Sequence, residues 1–157
     1  MTGDSSRSLA SGGGGVAAAT ALFARDRGGP TLTNQILVGP MIDDREATVS
    51  GKHWGSIWDR TSNRSGWTSI LGDAVGGPDV SPYAAAARAT DVSNLPAAYL
   101  DAGSSEVFRD ETLDYDARLA RAGAPTEIHS WAGGFHGFDS LAPDTEIGRA
   151  AVAARTS

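Results

Sequence analysis

The chain contains no cysteine, which excludes a disulfide framework and thiolate chemistry and suits a reducing, cytoplasmic setting. Histidine is scarce, at His53, His129 and His136, and no Cys/His cluster has metal-ligand spacing. This leaves no cofactor to expect. Cations are outnumbered, giving a formal net charge of -6, which argues against a nucleic-acid or anionic-membrane surface. No apolar run approaches the ~20 residues of a membrane span, and the N-terminus lacks the apolar core of a signal peptide. What remains is an ordinary soluble mix, 40% hydrophobic and 20% charged over 157 residues, long enough for one domain with a real core.

Glycine, by contrast, is plentiful and concentrated. Ser11 is followed at once by four glycines and then by Val16-Ala-Ala-Ala-Thr-Ala-Leu-Phe-Ala, a strong helix former. Glycine costs about 1 kcal/mol per helical position relative to alanine, so the run needs a reason. Close approach to the backbone, or φ above zero, supplies one. A sharp strand-to-helix turn presenting a nucleophilic serine requires both, and the following N–H can then bind an oxyanion at the helix N-terminus. On this reading Ser11 is the nucleophile and Gly12 an oxyanion donor.

Rival readings fit less well. Gly12, Gly14 and Ala17 match G-x-G-x-x-A, but the apolar run Gln35 to Val38 ends in Gly39-Pro40 without the acid that fingerprint needs. No Gly-Lys-Ser/Thr follows for a P-loop, and a flexible linker would not run into so good a helix.

Short apolar runs alternate with helical patterns along the rest of the chain. Strands are expected near 7–10, 34–39, 97–103 and 125–131. Helices are expected over 12–27, with Val16, Thr20, Leu22 and Phe23 toward the sheet, over 65–71, and from about 145 to 155. A further helix shows Phe108, Thr112, Tyr115, Leu119 and Ala122 on one face and Gly123 as its stop. The segment from Ile42 to Leu95 is irregular and holds Trp54, Trp58 and Trp67; Trp58 and Trp67 are expected to pack it onto the body. This order predicts an α/β fold with about four mostly parallel strands and helices on both faces.

In such sheets functional groups collect beyond the C-terminal strand ends. Ser11, Glu106 after the strand ending at Gly103, and His136 after the strand ending at Trp131 occupy three of them, in the order serine, acid, histidine. Asp110 and Asp101 are the fallback acids, read first as a helix-surface charge and a strand-end charge.

From Ser11 onward the sequence resembles the C-terminal catalytic half of a hormone-sensitive-lipase-like carboxylesterase, in the α/β-hydrolase fold-3 group. The similar stretches are SGGGGVAAATALFARDRGGP, VGPMIDDR, VSPYAAAARAT, LPAAYLDAGSSEVFRDE and WAGGFHGFD. The resemblance implies a partial α/β-hydrolase domain over 1–157 and hydrolysis of a small acyl ester through Ser11, Glu106 and His136. It further implies a homodimer formed through the edge strand Thr126–Trp131. The family more often has Asp where Glu106 stands. Its elbow reads G-x-S-x-G, whereas Leu9 precedes Ser11 by two; Gly3-Asp4-Ser5 gives G-x-S but lies six residues too early. No His-Gly-Gly-Gly stretch precedes Ser11. Two expectations follow. One is an active serine esterase; the other is an impaired or inactive fragment or pseudoenzyme that hydrolyses simple esters poorly alone and needs an upstream partner segment.

Overall fold

The computed structural model describes residues 11–156. It contains α1 (Gly12–Asp26), β1 (Asn34–Val38), α2 (Arg60–Leu71), β2 (Ala97–Gly103), α3 (Arg109–Arg121), β3 (Thr126–Trp131), α4 (Phe138–Leu141) and α5 (Glu146–Thr156). The strands form one parallel sheet in the order β1-β2-β3. The strand expected near 7–10 lies outside the described residues.

Alternation along β2 separates two layers. Ala98 and Leu100 point into a core with Leu37 of β1, Ala18 and Leu22 of α1, and Tyr115 and Leu119 of α3. On the opposite face the carboxylate of Asp101 meets Arg155 of α5. Helices therefore cover both faces, as the order of elements predicts.

The inward face of α1 differs from the expectation. Leu22 is buried with Gly14, Gly15, Ala18 and Ala21, but Val16 is 64% and Phe23 47% exposed. The reason is the closeness of the contact. A Cβ on Gly15 would lie 2.1 Å from the Met41 carbonyl oxygen, so only the small-residue face can reach the chain leaving β1. Val16 and Phe23 instead line an open apolar groove of about 440 Å³ with Met41, Ile70 and Tyr83.

The segment between β1 and β2 is held by polar side chains from elsewhere. Arg118 of α3 donates to the carbonyls of Ala87 and Ala89, and Arg25 of α1 donates to those of Asp91 and Ser93 at 3.1 and 2.8 Å. The buried Asp44 carboxylate accepts from Arg88 at 2.5 and 2.8 Å and from the Gly76 N–H at 2.7 Å. Burial pushes this carboxyl up, but the Arg88 and Gly76 hydrogen bonds outweigh it and hold it below the usual range. Trp67 is buried against Met41, Val107 and Phe108, with Trp58 packed at the margin, so both tryptophans do pack the segment onto the body.

Helix α2 begins five residues earlier than expected. Asp59 caps it, its Oδ1 accepting the N–H groups of Thr61 and Ser62 at 2.9 and 3.1 Å.

Candidate active site

The site forms where the exits of β1, β2 and β3 meet. Beyond β2 the chain turns at once, and Glu106 folds back so that its Oε1 accepts the Gly103 N–H at 2.6 Å. Its Oε2 lies 2.5 Å from Nδ1 of His136, on the loop after β3. The two loops touch because both carry glycine at the contact: a Cβ on Gly103 would lie 2.2 Å from the Gly134 carbonyl oxygen. The Ser105 N–H donates to that same carbonyl at 2.9 Å, locking acid loop to histidine loop. Glu106 is 3% exposed, and a buried carboxylate demands such partners.

The exit of β1 closes the site from a third side. Gly39 adopts φ 46°, and a Cβ there would sit 3.2 Å from both Glu106 Oε2 and His136 Nδ1. Two rings flank the imidazole. Phe108 meets it edge-on at 5.2 Å between centroids, and Trp58 lies tilted at 6.0 Å.

Ser11 stands beside this exit. Its N–H donates to the Val38 carbonyl at 3.0 Å, and its own carbonyl accepts from Met41 N–H at 3.1 Å and Gly15 N–H at 3.2 Å. The Val38 and Met41 bonds tie Ser11 to the residues on either side of Gly39-Pro40. Its backbone has φ 59° and ψ −116°, a conformation that L-residues rarely adopt. Gly12 follows as the first residue of α1 and is exposed.

The fallback acids occupy other places. Asp101 is not a free strand-end charge: its Oδ2 accepts from Arg155, from the Tyr99 hydroxyl at 3.1 Å and from Trp131 Nε1 at 3.3 Å. Burial pushes its carboxyl up, against the pull of Arg155. Arg155 also pairs with Asp139 just beyond His136, tying the histidine loop to α5. Asp110 is not a mere surface charge either, because its Oδ2 accepts the Ser50 N–H at 2.8 Å. The sequence reading missed Glu111 altogether. This carboxylate is buried, and its Oε1 accepts the N–H groups of Ile42 and Asp43 at 2.8 and 3.3 Å. Burial first, then the charges of Asp43 and Glu106, raise it well above the usual carboxyl value. Two adjacent acids opening a helix were the available signal, but their partners lie about 60 to 70 positions upstream. Among the described residues no group of three His, Cys, Asp or Glu side chains is placed to hold a metal ion.

Comparison with known proteins identifies the fold family. A family model described as the alpha/beta hydrolase fold matches residues 10–140. The chain belongs to the α/β-hydrolase fold family. Esterase LipI of Mycobacterium tuberculosis is 32% identical over 132 residues, covering 82% of this chain and 40% of LipI. Among solved structures, a bacterial heroin esterase superposes with a TM-score of 0.89 at 39% identity, covering 92% of this chain and 47% of that one. Esterase LipW from Mycobacterium marinum gives 0.83 at 33% identity, covering 92% and 45%. The chain thus spans less than half the length of these relatives. The resemblance to the C-terminal part of hormone-sensitive-lipase-like esterases holds across nearly all of it. No helix among the described residues is long and apolar enough to cross a membrane.

Proposed function

We propose that this chain carries the catalytic machinery of a serine carboxylester hydrolase, with Ser11 as nucleophile, His136 as general base and then acid, and Glu106 as its orienting carboxylate. The observation that carries the reading is the backbone of Ser11. A non-glycine residue held at φ 59°, ψ −116° where α1 opens is the strained turn that a nucleophile elbow requires. The pairing of the buried Glu106 carboxylate with His136 beside Gly39 supports it.

The chemistry follows from the contacts. With its Nδ1 proton donated to Glu106, the imidazole presents an unprotonated Nε2, the tautomer a general base needs. Nε2 takes the Ser11 hydroxyl proton as Oγ attacks the ester carbonyl. The Gly12 N–H, at the positive end of α1, stabilises the developing oxyanion. His136 then returns the proton to the leaving alcohol, giving an acyl-enzyme that water hydrolyses by the same steps. Gly103 N–H keeps the carboxylate aimed throughout. The substrate class is a small acyl ester.

Strand β3 pairs only with β2 among the described residues, and an exposed edge of this kind supports a homodimer through Thr126–Trp131. Light scattering that returns a monomer contradicts the dimer.

Hydrolysis of p-nitrophenyl butyrate tests the enzymatic reading. Ser11→Ala and His136→Ala should each lower turnover by about 10⁴-fold or more, as in serine hydrolases whose catalytic groups act as a unit. An unchanged rate in either variant overturns it.

A further inference from the structure

The first turn of α3 holds the chain leaving β1 at two points. Glu111 Oε1 accepts the N–H groups of Ile42 and Asp43, three and four residues beyond Gly39. Asp110 and Ser50 make a reciprocal pair: Ser50 N–H donates to Asp110 Oδ2 at 2.8 Å, and Asp110 N–H donates to Ser50 Oγ at 3.0 Å. The Ser50 hydroxyl also donates to the Val107 carbonyl at 2.9 Å. Ser50 thereby caps α3 from a distant part of the chain, meeting one of the helix's free N–H groups.

Both ends of the held segment border the imidazole. Gly39, before the first hold, lies against His136 Nδ1, and Trp58, after the second, lies tilted beside the ring. Phe108, edge-on to the ring, comes immediately before α3. One turn of helix thus supplies a wall of the histidine pocket and fixes the register of the other two.

We infer that Asp110 and Glu111 are positioning residues, holding the 39–58 segment so that Gly39 and Trp58 confine His136 in the orientation Glu106 demands. The inference rests on the proposed role of His136, but the contacts it invokes do not require Ser11 to react. A purely structural pair would stabilise the chain and leave the imidazole unaffected. A positioning pair sets the ring's tautomer.

The test is nitrogen-15 NMR of the His136 ring and of the Trp58 indole, on the full chain. Wild type should show a single Nδ1–H tautomer. Glu111→Ala and Asp110→Ala should replace it with averaged ring signals and shift the Trp58 indole signal, while Glu111→Gln, which keeps an acceptor oxygen, should stay near wild type. Ser50→Ala, a milder change at the second hold, should move Trp58 and serves if the alanine acids fail to fold. Arg25→Met is the control, since it weakens the segment between β1 and β2 at Asp91 and Ser93, about 50 positions beyond the Glu111 hold, and should leave the His136 tautomer intact. Unmoved His136 signals in the folded Glu111→Ala chain, or an equal change in Arg25→Met, overturn the inference; should the alanine acids not fold, an unmoved Trp58 signal in Ser50→Ala overturns it. Failure of the ester assay with these signals behaving as expected would count against the enzymatic reading alone.

Discussion

The sheet with α1 and α3, and the segment between β1 and β2, are built by different physics. The first is an apolar core in which Leu37, Leu100, Leu22 and Leu119 are all but fully buried, with ladder hydrogen bonds along three parallel strands. The second has little regular structure to satisfy its own backbone, so charged side chains do it. Acids in the first turn of α3 take its N–H groups at Ile42, Asp43 and Ser50. Arginines toward the helix C-termini take its carbonyls at Ala87, Ala89, Asp91 and Ser93. The same bias of acid to the N-terminus and base to the C-terminus that suits a helix dipole also places each acidic or basic side chain where it can reach backbone N–H or carbonyl groups. A frame of apolar contacts thus carries a long irregular segment beside its site and meets part of that segment's backbone with its own polar side chains.

The comparison breaks most sharply at single sites. Arg88→Met leaves the buried Asp44 carboxylate without its cation and should cost about 3–5 kcal/mol. Leu100→Ala, in the frame, should cost about 2–5 kcal/mol through lost burial and a cavity. Denaturant unfolding separates the two mechanisms. Adding Asp44→Leu to Arg88→Met should recover much of the loss, because the buried charge is removed with its partner. A double variant no more stable than Arg88→Met would show that the segment is held by packing after all.

A smaller effect is pH-dependent. Because Glu111 is raised well above the usual value, the folded chain retains a proton that the unfolded chain has released. The stability this group contributes is full below the unfolded value, about 4.3, and drains away as pH rises through the raised folded value. Glu111→Gln cannot titrate. The stability of wild type relative to this variant should therefore fall as pH rises from about 4, and a difference flat with pH contradicts the assignment.

The two regions also differed in how far the sequence revealed them. Strands β2 and β3 were legible almost to the residue: the apolar run of β2 closes in Gly103, and β3, though mostly polar, is bounded by Gly123 and Pro125 before it and Gly133-Gly134 after it. The length of α1 was legible but its face was not, since hydrophobicity favours Val16 and Phe23 whereas the fit of Gly15 to Met41 decides the orientation. The start of α2 was hidden by the polar run Arg60 to Arg64, which has no apolar period to read; only the Asp59 cap marks it. Within the site, the order and strand-end placement of Glu106 and His136 announced two residues that do meet. Asp101, Asp110 and Glu111 could not be interpreted that way, because each acts on groups that only the fold brings near.

The most direct measurement of the central claim is covalent capture of the nucleophile. The purified chain is treated with a fluorophosphonate, and the adduct is mapped by peptide mass spectrometry. The account predicts a single phosphonyl adduct on Ser11, absent from Ser11→Ala and suppressed in His136→Ala. An adduct on Ser5 or any other residue, or labelling that persists in Ser11→Ala, would contradict it.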